Sequence, residues 1–228
     1  MRTLLIACGL FAAGCSSVLP ILEDKKIPAA FPIKDSLKTF VLIDAAEVVT
    51  TGMTLLKKRK AVLEDVKKEY MQMVPEWVEN ELKIKAITDT SLTADQKKKL
   101  LLYDSAMISM LRDRHGAEVI AILKNCYGGF EQDDVVTEKD NDGTKTKTAF
   151  YSVFFESTWQ VIQGNKNEEK TVRASKPHSS RSVASGLLAR GPAFKANKSD
   201  ILQVASDNAF NFTGLFEDRH IQTASFHK

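Results

Sequence analysis

Residues 148–162 read TAFYSVFFESTWQVI. Aromatic and β-branched residues dominate the run, and no glycine or proline interrupts it, so it suits a pleated strand. Alternation places Phe150, Ser152 and Phe154 on one face, with Tyr151, Val153 and Phe155 on the other. Apolar residues on both faces fit a central strand covered on both sides, or one with a face open to a partner. Turn signals bracket it. Asp142-Gly143 lies in EKDNDGTK before it, and Gly164-Asn165 lies in QGNKN after it. EEKTVRAS (168–175) is then its hairpin partner, and KPHSSRSVASG beyond reads as loop.

Two further apolar runs read as buried strands, LKTFVLIDAA (37–46) and AEVIAILKNC (117–126), with VVTTGMT as a loop after the first. From Lys57 to Ala86 the period becomes helical. Leu63, Val66, Tyr70, Met73, Val74, Trp77, Val78 and Leu82 form one stripe, and the charged residues suit a solvated face. Pro75 predicts a kink or break inside it. Thr93 and Gln96 have capping-box spacing at the start of a helix with Leu100, Tyr103, Met107, Met110 and Leu111 inward. Gly116 is its left-handed stop, after Arg112, Arg114 and His115. A last helix spans about 198–217, capped by Ser199, with Ile201, Val204, Ala205, Asn208, Ala209, Phe212, Leu215 and Phe216 inward. Strands and helices in this order predict an α/β (α+β) fold: a mixed sheet of about four or five strands with long helices packed on it.

The chain opens MRTLLIACGLFAAGCSSVLP. Arg2 is followed by an apolar stretch, Thr3 to Phe11, too short to span a bilayer, and then by small Ala12, Ala13 and Gly14. Ala-Ala-Gly-Cys resembles the lipobox of bacterial lipoproteins, in which the cysteine is acylated and becomes the new N-terminus; Ala12 stands where leucine is usual. The expected organisation is a signal peptide over 1–14, a lipidated Cys15 with a flexible tether over 15–36, and a single α/β domain over 37–228. Pro20, Pro28 and Pro32 suit such a tether. More than one acyl chain on Cys15 gives stable anchoring, at about 0.8 kcal/mol per buried methylene. Of the three cysteines, Cys8 leaves with the signal, so Cys126 is alone and no intrachain disulfide forms in the processed chain. Its strand-like surroundings predict a buried, inert thiol.

The stretches FVLIDAA, HGAEVIAIL, STWQVIQGNKNEE and ASDNAFNFTGLF, behind the lipobox, resemble a group of bacterial lipoproteins related to the curli-secretion lipoprotein CsgG and the N-terminal domain of TolB. The outline covers most of residues 37–218. The resemblance implies an envelope component that binds other envelope proteins or glycans, and it carries no active-site residues.

Chemistry-bearing patterns are sparse. EKDNDG supplies oxygen ligands at calcium-loop spacing from Glu138, yet Ala149 stands where a bidentate Glu is needed, so a hairpin turn is the simpler account. His115, His178, His220 and His227 show no metal-ligand spacing with one another or with Cys. His178-Ser179-Ser180 is the one place where His and Ser adjoin, and there is no G-x-S-x-G elbow, Walker loop or G-x-G-x-x-G. Trp77 and Trp159 read as core, and the basic run 57–60 as a solvated helix start. With 32 basic and 29 acidic residues the charge balance does not point to nucleic acid. The expectation is a non-enzymatic interaction module of the bacterial envelope, without cofactor or metal. It is anchored through Cys15, at the outer membrane facing the periplasm or the surface, and meets other envelope proteins. The alternatives are an oligomerising structural subunit of a CsgG-like secretion or assembly complex, and a hydrolase using the His178 loop.

Overall fold

The computed structural model describes residues 21–33, 39–49, 56–141, 143–184 and 197–225. They fall into two units. One holds residues 21–27 and 219–225, the other the described residues of Pro28–Asp218. In the first, β1 (Ile21–Ile27) pairs antiparallel with β7 (Arg219–Ser225), from Ile21↔Ser225 to Ile27↔Arg219. The stretch expected as tether (15–36) therefore contains a strand, and 37–228 is not one unit, because its last strand pairs with β1 rather than joining the main sheet.

The second unit is built on a five-stranded sheet in the order β3-β2-β4-β5-β6. Its strands are β2 (Thr39–Val49), β3 (Lys85–Thr88), β4 (Val119–Lys139), β5 (Lys145–Gln163) and β6 (Lys166–Ala184). β2 runs parallel to β3 and β4, while β4, β5 and β6 form an antiparallel meander. Helices α1 (Leu56–Leu82) and α4 (Lys198–Thr213) pack on one face; α2 (Ala94–Leu101) and α3 (Ser105–His115) pack on the other. The mixed α/β fold read from the sequence is the fold the chain forms.

The first face carries the larger core. Trp159 is fully buried, 4.4 Å from the Phe212 ring and 6.1 Å from Tyr70, and Phe40 packs edge-on to Phe216 at 4.9 Å. Phe31, from the expected tether, is also wholly buried and stacks toward Phe216. Each such ring stabilises the fold by roughly 1.5–3 kcal/mol. The smaller core joins Val41, Ile43, Ile120, Ile122 and Ile162 to Leu100, Ile108 and Leu111. A single strand such as β4 feeds both, because its residues alternate between faces.

Several local expectations are corrected. α1 continues through Pro75: the proline removes one helical hydrogen bond, but buried Tyr70, Met71, Val74 and Val78 on either side hold the helix to the sheet. The helix nevertheless stops at Leu82, and Lys85–Thr88 pairs with β2 as β3. The segment read as one helix from Thr93 is two. Thr93 and Gln96 do close the capping box, but the chain turns at Tyr103 (φ 60°) and Asp104 caps α3, leaving Tyr103 exposed rather than inward. Gly116 takes the left-handed stop. KPHSSRSVASG is strand as far as Ala184, as the outer part of β6. Asn197, not Ser199, is the N-cap of α4, its N–H donating to the Asp200 carboxylate at 3.0 Å.

Candidate functional site

The first place to look is set by topology. The β2–β3 connection uses α1 on one face, and the β3–β4 connection uses α2 and α3 on the other. Open α/β sheets place ligand crevices at such a reversal, beyond the carboxyl ends of the strands. Here the β2–β4 ladder shifts between Asp44 and Glu47. Asp44 Oδ1 accepts the Ala46 N–H at 3.0 Å. Lys67 reaches in from α1 and donates to the Ala46 carbonyl at 3.1 Å, with Asp44 Oδ2 at 3.4 Å and Glu64 Oε2 at 3.5 Å. Burial opposes the charge on Lys67, but Asp44 and Glu64 outweigh it and hold the ammonium above the ordinary lysine range. Cys126 is buried nearby on β4, and burial pushes its thiol up to about 12. A protonated amine and a protonated thiol are not nucleophiles. The position is filled by an internal ion pair.

The second candidate is the face of β4–β6 beyond α2 and α3, where among the described residues no helix contributes to the cover. Cross-strand pairs tile it. Gln160 donates to Asn167 at 2.9 Å, Thr158 faces Thr171 at 3.3 Å, and Lys124 pairs with Glu169. Arg173 bonds Glu131 at 2.6 Å and lies 4.5 Å from the Phe154 ring centre, while Tyr127 flanks the same ring at 5.0 Å. Phe154 is thereby buried on a polar face, and Phe150, four residues before it on the same face, is 42 % exposed. The face is broad, with polar pairs fixed around an aromatic centre.

A third cluster joins β3 to α3. Asp89, its side chain 3 % exposed, accepts Ser91 N–H at 2.8 Å and Ser91 Oγ–H at 2.6 Å on Oδ1. Its Oδ2 lies 2.9 Å from His115 Nε2 and 3.3 Å from Arg114 Nη1. Burial alone would raise this carboxyl, but the hydrogen bonds from Ser91 and His115 bring it down to about 2. Ser, His and Asp are all present, yet Ser91 and His115 both grip Asp89. A triad needs the histidine between the other two. The sequence assigned His115 only to the helix end; Asp89 and Ser91 were missed, and their signal was the Asp-x-Ser turn spacing.

The remaining predicted residues are dispersed. Cys15, Asp142 and His227 lie outside the described residues. The EKDNDG stretch is the β4–β5 turn: Asp140 N–H donates to the Thr144 carbonyl at 2.8 Å, and Gly143 takes φ 86°. Among the described residues no group of three or more His, Cys, Asp or Glu is placed to hold a metal ion. His178 is on a strand, not a loop, stacked on Tyr151 at 5.7 Å. Ser179 follows it on a strand and so points to the opposite face. Trp159 is core, whereas Trp77 is half-buried against Phe210 at 5.2 Å. Lys60 is exposed on α1, and His220 is exposed on β7. Among the described residues no helix is long and apolar enough to cross a membrane.

No protein-family model matches the chain, and no curated relative does. Among solved structures, a variant of the PelC dodecamer from Paraburkholderia phytofirmans is similar over 87 % of this chain and 100 % of its own, at 8 % identity and a TM-score of 0.39. A neuraminyllactose-binding hemagglutinin homologue from Helicobacter pylori is similar over 82 % of this chain and 83 % of its own, at 9 % identity and a TM-score of 0.35.

Proposed function

We propose that this chain is a lipid-anchored interaction module of the bacterial envelope, tethered through Cys15 and presenting a rigid sheet-and-helix body to other envelope proteins. The observation that carries the reading is the short apolar run ending in Ala12-Ala13-Gly14-Cys15. The side-chain chemistry supports it. Lys67 and Cys126 are held protonated, and Asp89, Ser91 and His115 are arranged as a structural clasp. The face of β4–β6 on which no described helix packs, around Arg173, Phe154 and Phe150, is the contact surface in this reading. Of the alternatives, the hydrolase loses its loop, since His178 is on β6. The oligomerising CsgG-like subunit draws support from the length of β4, β5 and β6, each several times the usual strand of about 5–6 residues.

Intact mass of the protein from its native membrane tests the anchor. An acylated N-terminal Cys15 is expected. An unmodified sulfur with residues 1–14 still attached removes both the location and the role. A pull-down from membranes with Phe150→Asp and Arg173→Ala variants then tests the surface. Partners retained equally by both variants and by the unaltered chain place the contact elsewhere.

A further inference from the structure

We infer that the turn between α2 and α3 is a lipid-contact tip: Leu102 and Tyr103 enter the surface of an anionic bilayer while Lys98 and Lys99 meet its phosphate headgroups. The inference does not rest on acylation of Cys15.

The chain here reads Lys98-Lys99-Leu100-Leu101-Leu102-Tyr103, and the helix sends its three leucines in different directions. Leu100 is wholly buried in the smaller core, and Leu101 packs against that core. Leu102 is 83 % exposed, the most exposed large apolar side chain among the described residues. Residues three and four apart on a helix share a face. Leu102 therefore continues the face of Lys98 and Lys99, both exposed, and its N–H donates to their carbonyls at 3.2 and 3.1 Å. Two cations thus border an apolar tip.

The turn holds that tip in a strained conformation. Tyr103 N–H donates to the Leu100 carbonyl at 2.9 Å, and Asp104 N–H to the Lys99 carbonyl at 3.1 Å, the paired bonds of a left-handed helix stop. Glycine suits the left-handed position, as Gly116 does after α3. Here a tyrosine takes it at φ 60°, with 40 % of its surface exposed. Unfavourable backbone that carries an exposed aromatic side chain points to a use for that side chain.

The local charge is positive. Asp104 accepts the Ala106 and Met107 N–H groups at 3.0 and 3.1 Å, so its carboxylate is committed to capping α3. Asp95 lies in the first turn of α2, at the far end from Leu102.

These side chains fit an anionic lipid surface better than a protein groove. Lysine is depleted from the centres of protein interfaces. Beside an anionic membrane each lysine strengthens binding about fivefold. Tyrosine is enriched at the membrane–water boundary, where its ring and its hydroxyl each find a suitable medium. The stems of Lys98 and Lys99 can lie along the apolar tip while their ammonium groups stay at headgroup level.

The test places an environment-sensitive fluorophore on Ser105→Cys, an exposed position two residues beyond Tyr103, in the full chain carrying Cys8→Ser and Cys15→Ser. Cys126 is buried, with its thiol pushed up to about 12, and stays unlabelled. Replacing Cys15 removes acylation, so this outcome is separate from that of the anchor. Lys60→Cys, exposed on α1, carries the control label. Vesicles contain phosphatidylglycerol and phosphatidylcholine in equal parts, or phosphatidylcholine alone. On the anionic vesicles the Ser105 label is expected to move from water to lipid, seen as a blue shift, while the Lys60 label stays in water. Leu102→Asp is expected to abolish the shift. Lys98→Gln with Lys99→Gln is expected to lower the ratio of lipid-exposed to water-exposed label about thirtyfold. No shift at Ser105 on anionic vesicles overturns the inference, and so does an equal shift at Lys60 or on phosphatidylcholine alone. A shift that survives Leu102→Asp, or is unchanged by the two lysine substitutions, in protein that circular dichroism shows folded has the same force. A label that responds to extracted membrane proteins and not to lipid makes the tip a protein contact and overturns it as well.

Discussion

The Tyr70 hydroxyl on α1 lies 2.8 Å from Asn208 Oδ1 on α4, in the centre of the larger core. Both residues are buried, and the contact is one corner of a closed polar network. Asn208 Nδ2 donates to the Phe155 and Val172 carbonyls at 3.2 and 2.7 Å, which fixes the amide so that its oxygen faces the hydroxyls. Ser157 Oγ lies 2.7 Å from the same oxygen, and Trp159 Nε1 donates to Ser157 Oγ at 3.0 Å. One asparagine thus ties α4 to two adjacent strands and to α1.

The two ends of this network differ in how much they orphan. Tyr70→Phe leaves Asn208 with Ser157 and Trp159 with Ser157, so the expected loss is about 1 kcal/mol. Asn208→Ala takes the amide donors from two buried strand carbonyls and an acceptor from the Tyr70 and Ser157 hydroxyls, which keep their bond to each other at 3.0 Å, with an expected loss of about 3 kcal/mol. Urea unfolding of both variants checks the order. A Tyr70→Phe loss equal to or greater than that of Asn208→Ala contradicts the network as described.

Asp89 gives a pH signature. Its carboxyl is lowered in the folded chain to about 2, from 3.8. The unfolded state therefore binds the proton first, so the contribution is complete above about pH 4 and disappears as pH falls through about 2. The shift corresponds to about 2 kcal/mol. Asp89→Asn should be less stable than the unaltered chain at pH 7 and indistinguishable in this respect near pH 2. A stability gap that persists unchanged at pH 2 rules out the ionised carboxylate as its source.

Cys126 offers a chemical readout of packing. A buried thiol pushed up to about 12 should resist iodoacetamide at pH 8 in the folded chain and react once urea unfolds it. Rapid labelling of this site in native buffer would contradict its burial on β4.

Gly128 marks a close approach between β4 and α1. A Cβ there would lie 3.1 Å from Leu63 Cδ2 and 3.2 Å from Phe155 Cδ2. Gly128→Ala is expected to destabilise by about 1–2 kcal/mol through overpacking. Trimming the neighbour with Leu63→Ala should relieve part of that, so the double variant should lose less than the sum of the singles. Strict additivity in thermal melts would place the strain elsewhere.

What the sequence disclosed follows the range of the forces involved. The Thr93 cap and the Gly116 stop are local and were legible. Asn208 was visible as the one amide in an apolar stripe, although Tyr70 and Ser157, its distant partners, carried no mark of the meeting. β3 was missed because four residues directly after a helix are defined only by their parallel neighbour. The outer half of β6 was missed because an edge strand tolerates Lys176, Pro177 and a run of serines that a central strand does not. The Lys67–Asp44 pair was unreadable for another reason: a lysine on a charged helix face gives no hint that it bends inward to a strand end.

The strand order also governs how the chain assembles. β4, β5 and β6 are sequence neighbours joined by tight turns at Gly143 and Gly164, so they find one another with little loss of chain freedom. Phe40 meets Val119 only across everything from α1 to α3. Closing that long circuit is the entropically expensive step. The meander is therefore the natural scaffold on which the parallel half is laid down, and the last native pairing to appear should be the one that seals Lys67 beneath Asp44.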